Sequence, residues 1–249
     1  MRYTRLMKRR TPLLIFVILI GLAGIFSYSR SHSPAASTDK VSHSATAPQS
    51  KPAPGFDKKQ FSTSLPTSPW VIVNKQHPLQ PKTYIPPDLT PVGNGQYMRA
   101  EAAAALSHMF DDAKAAGLTL TAGSGYRSYD TQVSVYASEV RNFGQTVADN
   151  ESARPGFSEH QTGWAIDISG GGCNIEDCFG TTPQGKWVAA NAYKYGFIQR
   201  YTTANSASTG YRAESWHFRY VGPALAQEFH DTQASSLETF FGVSGGPNY

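Results

Sequence analysis

The stretch Ser158-Glu159-His160-Gln161-Thr162-Gly163-Trp164-Ala165-Ile166-Asp167 decides how the rest of the chain is read. It sets an imidazole and a carboxylate seven residues apart, with a glycine between them. From Trp164 onward the side chains alternate with the two-residue period of a strand. Trp164, Ile166 and Ile168 point to one face, and Ala165, Asp167 and Ser169 to the other. The carboxylate therefore lies opposite three large apolar side chains, and His160 falls in the turn that feeds the strand. A histidine and a carboxylate begin a metal site, which needs at least one further ligand.

A second stretch supplies that ligand: Glu214-Ser215-Trp216-His217-Phe218-Arg219-Tyr220. Trp216, Phe218 and Tyr220 alternate as on a strand. Glu214 precedes His217 by three positions, so a regular strand would turn the two to opposite faces. A bend before the strand is expected to bring Glu214 over the metal. Two histidines and an aspartate would hold zinc with one position open to water, and a non-ligand glutamate would take that water's proton.

Composition narrows the alternatives. The 249 residues, 40% of them hydrophobic, suffice for a globular core. The net charge of +4 is unevenly placed: residues 1–65 hold ten Lys/Arg against two Asp/Glu, leaving twelve against sixteen for the remainder. The basic excess belongs to the N-terminal part. Nothing in the composition promises the basic patch of a nucleic-acid-binding domain.

Taken in order, the chain opens with Arg2, Arg5, Lys8, Arg9 and Arg10 before an uncharged apolar run from Pro12 to Phe26. That pattern marks export. With no clean small-x-small cleavage site after it, residues 1–28 are expected to be an uncleaved membrane anchor, with the rest of the chain outside the membrane. A cleaved signal and a secreted protein is the alternative. Residues 29–66, rich in Ser, Pro, Ala and Thr, read as a flexible stalk in which His32 and His43 are solvated.

Residues 67–249 form the folded domain. A helix is expected from Met98 to Ala116, stopped by Gly117, with His108 a surface or packing residue rather than a ligand. A strand through Leu118, Leu120 and Ala122 breaks at Gly123-Ser124-Gly125. Ser128 then caps a helix from Tyr129 to Asn142, which holds Arg127 at a strand-to-helix turn and Gln132 on the first turns. Cys173 and Cys178 are the only cysteines. In an exported chain they read as a small disulfide loop, ahead of a zinc site built on thiols. A helix from Pro183 to Tyr195, a strand from Phe197 to Tyr201, a polar loop 202–210 at the rim of the site and a last helix from Pro223 to His230 complete the domain.

Three of these segments together resemble the VanY-type D-alanyl-D-alanine carboxypeptidases, which belong with the zinc D,D-peptidases and hedgehog-like metallopeptidases. They are Ser124-Gly125-Tyr126-Arg127-Ser128, Ser158-Glu159-His160 through Asp167, and Glu214 through Gly222. The resemblance spans residues 70–241. It implies His160, Asp167 and His217 as ligands of one zinc ion and Glu214 as the catalytic base. Arg127 would hold and polarise the scissile region, and Gln132 and Ser158 would contact substrate. Thr202 and Ser215 stand where relatives often carry proline, and the cysteine loop is an addition to the common pattern.

The expected fold is α+β, a central, mainly antiparallel sheet carrying the zinc ligands with helices packed round it. The expected activity is a zinc-dependent carboxypeptidase that removes the C-terminal D-Ala of peptidoglycan stem peptides. Its partners are those peptides and, through the anchor, the membrane; a monomer is the default state. An L,D-carboxypeptidase on tetrapeptide stems, a peptidoglycan endopeptidase, and a non-catalytic hedgehog-like binding module are the alternatives.

Overall fold

Alternating sequence becomes a four-stranded antiparallel sheet, in spatial order β3 (Leu120–Ser124), β4 (Ala165–Gly170), β6 (Glu214–Tyr220) and β5 (Phe197–Tyr201). The structure is a computed structural model that describes residues 55–249. The anchor expected over 1–28 and most of the stalk lie outside the described residues. Residues 55–66, assigned by composition to the end of the stalk, pack on the domain. The Phe56 and Phe61 rings stand 5.4 and 5.0 Å from that of Trp70, and Lys58 Nζ donates to the Phe240 carbonyl at 2.6 Å. Two aromatic anchors in a polar segment outweigh its disorder-prone composition. Among the described residues no helix is long and apolar enough to cross a membrane.

The chain enters through a hairpin, β1 (Leu89–Pro91) and β2 (Tyr97–Arg99), absent from the expected elements. Helix α1 (Ala100–Ala115) follows directly, so Met98 is a strand residue rather than the start of the helix. His108 on α1 is exposed, as expected. Strand β3 (Leu120–Ser124) continues through Gly123 before the turn to α2 (Tyr129–Phe143), whose N-cap Ser128 accepts from the Thr131 amide. Helix α3 (Gln145–Glu151) follows; it is polar and was not anticipated.

A 3-10 turn (Glu159–Thr162) leads into β4 (Ala165–Gly170). Next come a second 3-10 turn (Asp177–Thr181), α4 (Pro183–Asn191) with Thr182 as cap, and a third 3-10 turn (Ala192–Tyr195) where the sequence suggested one unbroken helix. Strand β5 (Phe197–Tyr201), the single turn α5 (Ser206–Thr209), β6 (Glu214–Tyr220), α6 (Pro223–Thr232) and α7 (Leu237–Phe241) complete the fold.

Both faces of β4 are buried. Trp164, Ile166 and Ile168 join Met98, Leu106, Met109, Phe179, Val188 and Phe218 in the main core. A second cluster, Trp70, Ile72, Ile198, Val221, Leu225 and Leu237, lies under α6 and α7. Asp167 faces away from the main core, as the alternation requires. The loop 202–210, expected at the rim, instead packs on the C-terminal segment: Asn205 donates to the Ser235 carbonyl at 2.8 Å, and Ser208 Oγ to Ser236 Oγ at 3.1 Å. Asn205 and Ser208 are thus engaged by that segment, and Ser206 bonds the Thr203 carbonyl within the loop.

Gly125 ties the fold to the site. A Cβ there would stand 2.4 Å from the Tyr97 carbonyl oxygen, the acceptor for the Tyr126 amide. Gly125→Ala must therefore displace β2 from the β3–α2 turn. Overpacking of this kind costs about 1–3 kcal/mol. The expected outcome is a thermal midpoint lower by several degrees in scanning calorimetry, with activity reduced because Arg127 and the partner of His160 move with the turn.

Candidate functional site

Cross-strand pairing puts Asp167 of β4 directly opposite His217 of β6, and paired residues share one face of a sheet. His217 Nδ1 lies 3.1 Å from Asp167 Oδ1. His160 arrives from the 3-10 turn before β4, off the sheet itself, with Nε2 at 3.4 Å from Asp167 Oδ2. The two imidazole rings are perpendicular, their centroids 4.9 Å apart. One ligand atom from each of His160, Asp167 and His217 falls within 4.8 Å of the others, and all three residues are buried. The sequence-expected ligand set is assembled in one place.

The donor chemistry fits a cation. His160 Nδ1 bonds the Gly125 carbonyl at 2.8 Å, so that nitrogen carries the proton and Nε2 is left with a lone pair. His217 Nε2 faces Glu159 Oε2 at 3.2 Å, which leaves Nδ1 as the ligating nitrogen. In both cases the outer hydrogen bond selects the tautomer that aims a lone pair at Asp167. Borderline nitrogen donors with one carboxylate are a zinc-type set.

Without a cation the charges rearrange as electrostatics requires. Burial pushes the His160 imidazole down to about 4, with Arg127 and His217 adding to the shift against Asp167. Burial also opposes charge on His217, but its hydrogen bonds to Asp167 and Glu159 prevail and hold it up at about 9. Burial raises Glu214 to about 7, with Asp167 adding repulsion and His217 opposing. A carboxylate titrating near neutrality can both accept and return a proton.

Glu214 reaches this position differently from the expected bend. It is the first residue of β6, paired with Tyr201, and the ladder shifts between that pair and Gln199–Phe218. Over the shift β6 runs through two more residues than β5. Extra residues in one strand locally rotate its side chains, which brings Glu214 Oε2 to 3.7 Å from His217 Nδ1. The irregularity lies inside the strand because β5 pairs with β6 on both sides of it. Ser215, within the irregular stretch, accepts from the Gly180 amide at 3.0 Å and so holds the second 3-10 turn against β6.

Arg127 enters the same cleft from the β3–α2 turn. Its Nη1 donates to Gln132 Oε1 at 2.9 Å and its Nη2 to Ser124 Oγ at 3.2 Å. Gln132, 1% exposed, is in turn fixed by donation to the Ala153 carbonyl at 2.7 Å and to Ser152 Oγ at 3.2 Å. Its amide is thus used in aiming Arg127, and its side chain also lines the cleft where a substrate contact is expected. Ser158 lines the cleft at the head of the 3-10 turn without capping it. The cleft encloses about 510 Å³. Cys173 and Cys178 form the expected disulfide, on a loop at the cleft's edge.

The largest omission from the sequence reading is Glu159. It is fully buried, and its Oε1 accepts from Arg200 Nε and Arg219 Nη1, both at 2.8 Å. Burial disfavours its charge, but the two guanidiniums outweigh that and hold the carboxyl far below the usual range. Arg200 continues to Glu238 at 2.6 Å. A glutamate next to a candidate ligand and two arginines alternating with strand core residues were the available signals.

A family model described as VanY, D-alanyl-D-alanine carboxypeptidase, matches residues 95–223. The chain belongs to the VanY family. A putative carboxypeptidase, YodJ of Bacillus subtilis (strain 168), is 45% identical over 181 residues, 68% of this chain and 66% of the relative, so the match spans about two thirds of that protein. Among solved structures, the LdcB LD-carboxypeptidase gives a TM-score of 0.66 at 43% identity, over 72% of this chain and 88% of that one. A variant of the vancomycin resistance D,D-pentapeptidase VanY in complex with Zn(II) gives 0.61 at 29% identity, over 68% and 97%.

The VanY-family site makes Glu159 a test of the second hydrogen bond on His217. Glu159→Gln should weaken zinc binding about 10–100-fold, measured by competition with a chelator under conditions where circular dichroism reports a folded chain. Unchanged affinity would remove Glu159 as the group that orients His217.

Proposed function

We propose that the chain is a zinc-dependent carboxypeptidase that hydrolyses the C-terminal D-Ala of peptidoglycan stem peptides. The observation that carries this reading is the convergence of His160, Asp167 and His217 beside Glu214, with Arg127 in the same cleft. His160, Asp167 and His217 would hold one zinc ion. Bound there, zinc polarises a carbonyl and lowers the pKa of a water towards about 7.

The protein's own groups do the rest. Glu214 accepts the proton of the attacking water and returns it to the leaving amine. Arg127, aimed by Gln132 and Ser124, stabilises the developing oxyanion, and loss of one such donor costs about 3 kcal/mol. Ser158 offers its hydroxyl to the peptide. The cationic N-terminus and apolar run support an anchor that keeps the domain outside the membrane, on the side where the wall polymer lies.

The likeness to the LdcB LD-carboxypeptidase, at 43% identity, favours one second reading, an L,D-carboxypeptidase that trims tetrapeptide stems. Pentapeptide and tetrapeptide stems offered side by side, with a chelator control and mass spectrometry of D-Ala release, decide between them. Chelator-sensitive loss of D-Ala from the pentapeptide is expected. Release from the tetrapeptide alone would replace the reading by the L,D one, and release from neither would overturn both.

Glu214→Gln should retain zinc and lose about 10²–10⁴-fold in kcat, whereas His217→Ala should lose metal and activity together. The base must be ionised to work, so kcat/KM should rise with pH through the Glu214 pKa. That acid limb lies at or below about 7, since a neighbouring cation favours the carboxylate. An acid limb well above neutrality, or one unchanged in a residual-activity Glu214→Asp variant, would argue against Glu214 as the base.

A further inference from the structure

Residues 244–249 follow α7 and are tied down along their length. Asn74 Nδ2 donates to the Ser244 carbonyl and Lys75 Nζ to the Pro247 carbonyl, both at 3.1 Å. Lys75 is only 1% exposed, and its Nζ stands 4.9 and 5.5 Å from the ring centres of Tyr211 and Tyr249. Two stretches of backbone also touch. A Cβ on Gly210 would meet the Gly246 carbonyl oxygen, and one on Gly245 the Ser208 carbonyl oxygen. A buried ammonium over aromatic rings and a close backbone approach fix this segment in place.

Tyr249 joins the segment to the catalytic groups. Its Oη accepts from the Arg154 amide at 2.8 Å and lies 3.2 Å from Tyr211 Oη. Its ring meets Phe157 edge-on, with centres 5.1 Å apart, and packs against the Arg154 guanidinium at 4.2 Å. Asp149 of α3 holds that guanidinium through both carboxylate oxygens, at 3.0 and 2.9 Å. The Arg154 amide and the Ala153 carbonyl belong to one peptide unit. Its N–H is bound by Tyr249, and its C=O accepts from Gln132 at 2.7 Å. Gln132 Oε1 in turn accepts from Arg127. An unbroken hydrogen-bonded path therefore runs from the Tyr249 hydroxyl to the Arg127 guanidinium, with a single peptide plane in its middle.

We propose that Tyr249 is a positioning residue: it fixes the 153–154 peptide plane, and through Gln132 it holds Arg127 where the oxyanion develops. The peptide is planar, so a rotation that turns its N–H also turns its C=O. Without the Tyr249 hydroxyl nothing in this path fixes the plane, and the Gln132 amide loses its set acceptor. Arg127 then keeps its charge and loses its aim. Misplacing a catalytic group by about 1 Å can cost about 100-fold in rate. Hydrogen bonds in such a chain also polarise one another, so the terminal link strengthens those nearer the site. The inference rests on the carboxypeptidase reading above and adds to it a residue outside the family-matched span 95–223.

The test is a double-mutant cycle on the full-length protein with zinc, reading D-Ala release from whichever stem peptide wild type cleaves. Tyr249→Phe removes the hydroxyl and leaves the ring on Phe157 and Arg154. Gln132→Met keeps the length of the side chain and removes the amide that links the path. Tyr249→Phe should lower kcat about three- to tenfold, the scale of one hydrogen bond, with KM within about twofold, because an oxyanion contact is made in the transition state. In the Gln132→Met background the same change should move kcat by less than about twofold. Zinc affinity, by chelator competition, should stay at the wild-type value in Tyr249→Phe. Equal losses in the two backgrounds, an unchanged kcat in Tyr249→Phe, or zinc lost in step with activity overturns the positioning role and leaves the carboxypeptidase reading standing. Absence of D-Ala release by wild type from both pentapeptide and tetrapeptide stems overturns both.

Discussion

The pairing of Asp167 with His217 across the β4–β6 ladder is the constraint on which the site depends. Opposed residues of an antiparallel pair share a face and sit close enough for their side chains to meet, so two candidate ligands are placed by backbone hydrogen bonding alone. The opposite face of the same strands carries Trp164, Ile166 and Phe218 into the core. A register slip of one residue would send both ligands inward and the aromatics into the cleft, so the core and the site enforce one another. Regular structure places these two candidate ligands, and irregular structure places the other groups of the site. His160 comes from a 3-10 turn, Glu214 from a shift in the β5–β6 ladder, and Arg127 from a strand-to-helix turn.

The electrostatics follow the same division. At the centre, Asp167 and Glu214 crowd two carboxylates against two imidazoles, an arrangement a divalent cation would relieve. Behind it the charges are already balanced: Glu159 and Glu238 stand with Arg200 and Arg219, all four buried. The outer set is satisfied by the protein, while the inner set could hold a metal ion.

Much of this was legible in the sequence, for a physical reason. The metal-ligand residue types are few, and their alternation with large apolar residues names the strand and the face, as for Asp167 and His217. Arg127 could be read because a helix N-cap, Ser128, directly follows it. Glu159 could not, because a short turn has no periodicity to say which side chain points inward. The position of Glu214 depended on a register shift that only the partner strand defines. The way Gln132 is fixed was not legible, because its amide partners Ser152 and Ala153 lie about twenty residues on in a segment with no pattern. Residues 55–66 misled through composition, since two aromatic side chains sufficed to dock a stretch otherwise suited to a linker.

The Glu238–Arg200–Glu159–Arg219 chain has a consequence for how such a sequence can drift. Its four formal charges cancel, and all four side chains are buried. Replacing any one leaves an orphaned buried charge, a cost of about 3–5 kcal/mol, a large share of the 5–15 kcal/mol that holds a typical domain together. Exchanging an opposite pair at once restores neutrality and removes most of that cost. Sequence divergence at these positions should therefore be strongly epistatic: single steps descend into a fitness valley, and the order of substitutions, more than their final identity, decides which lineages can cross it.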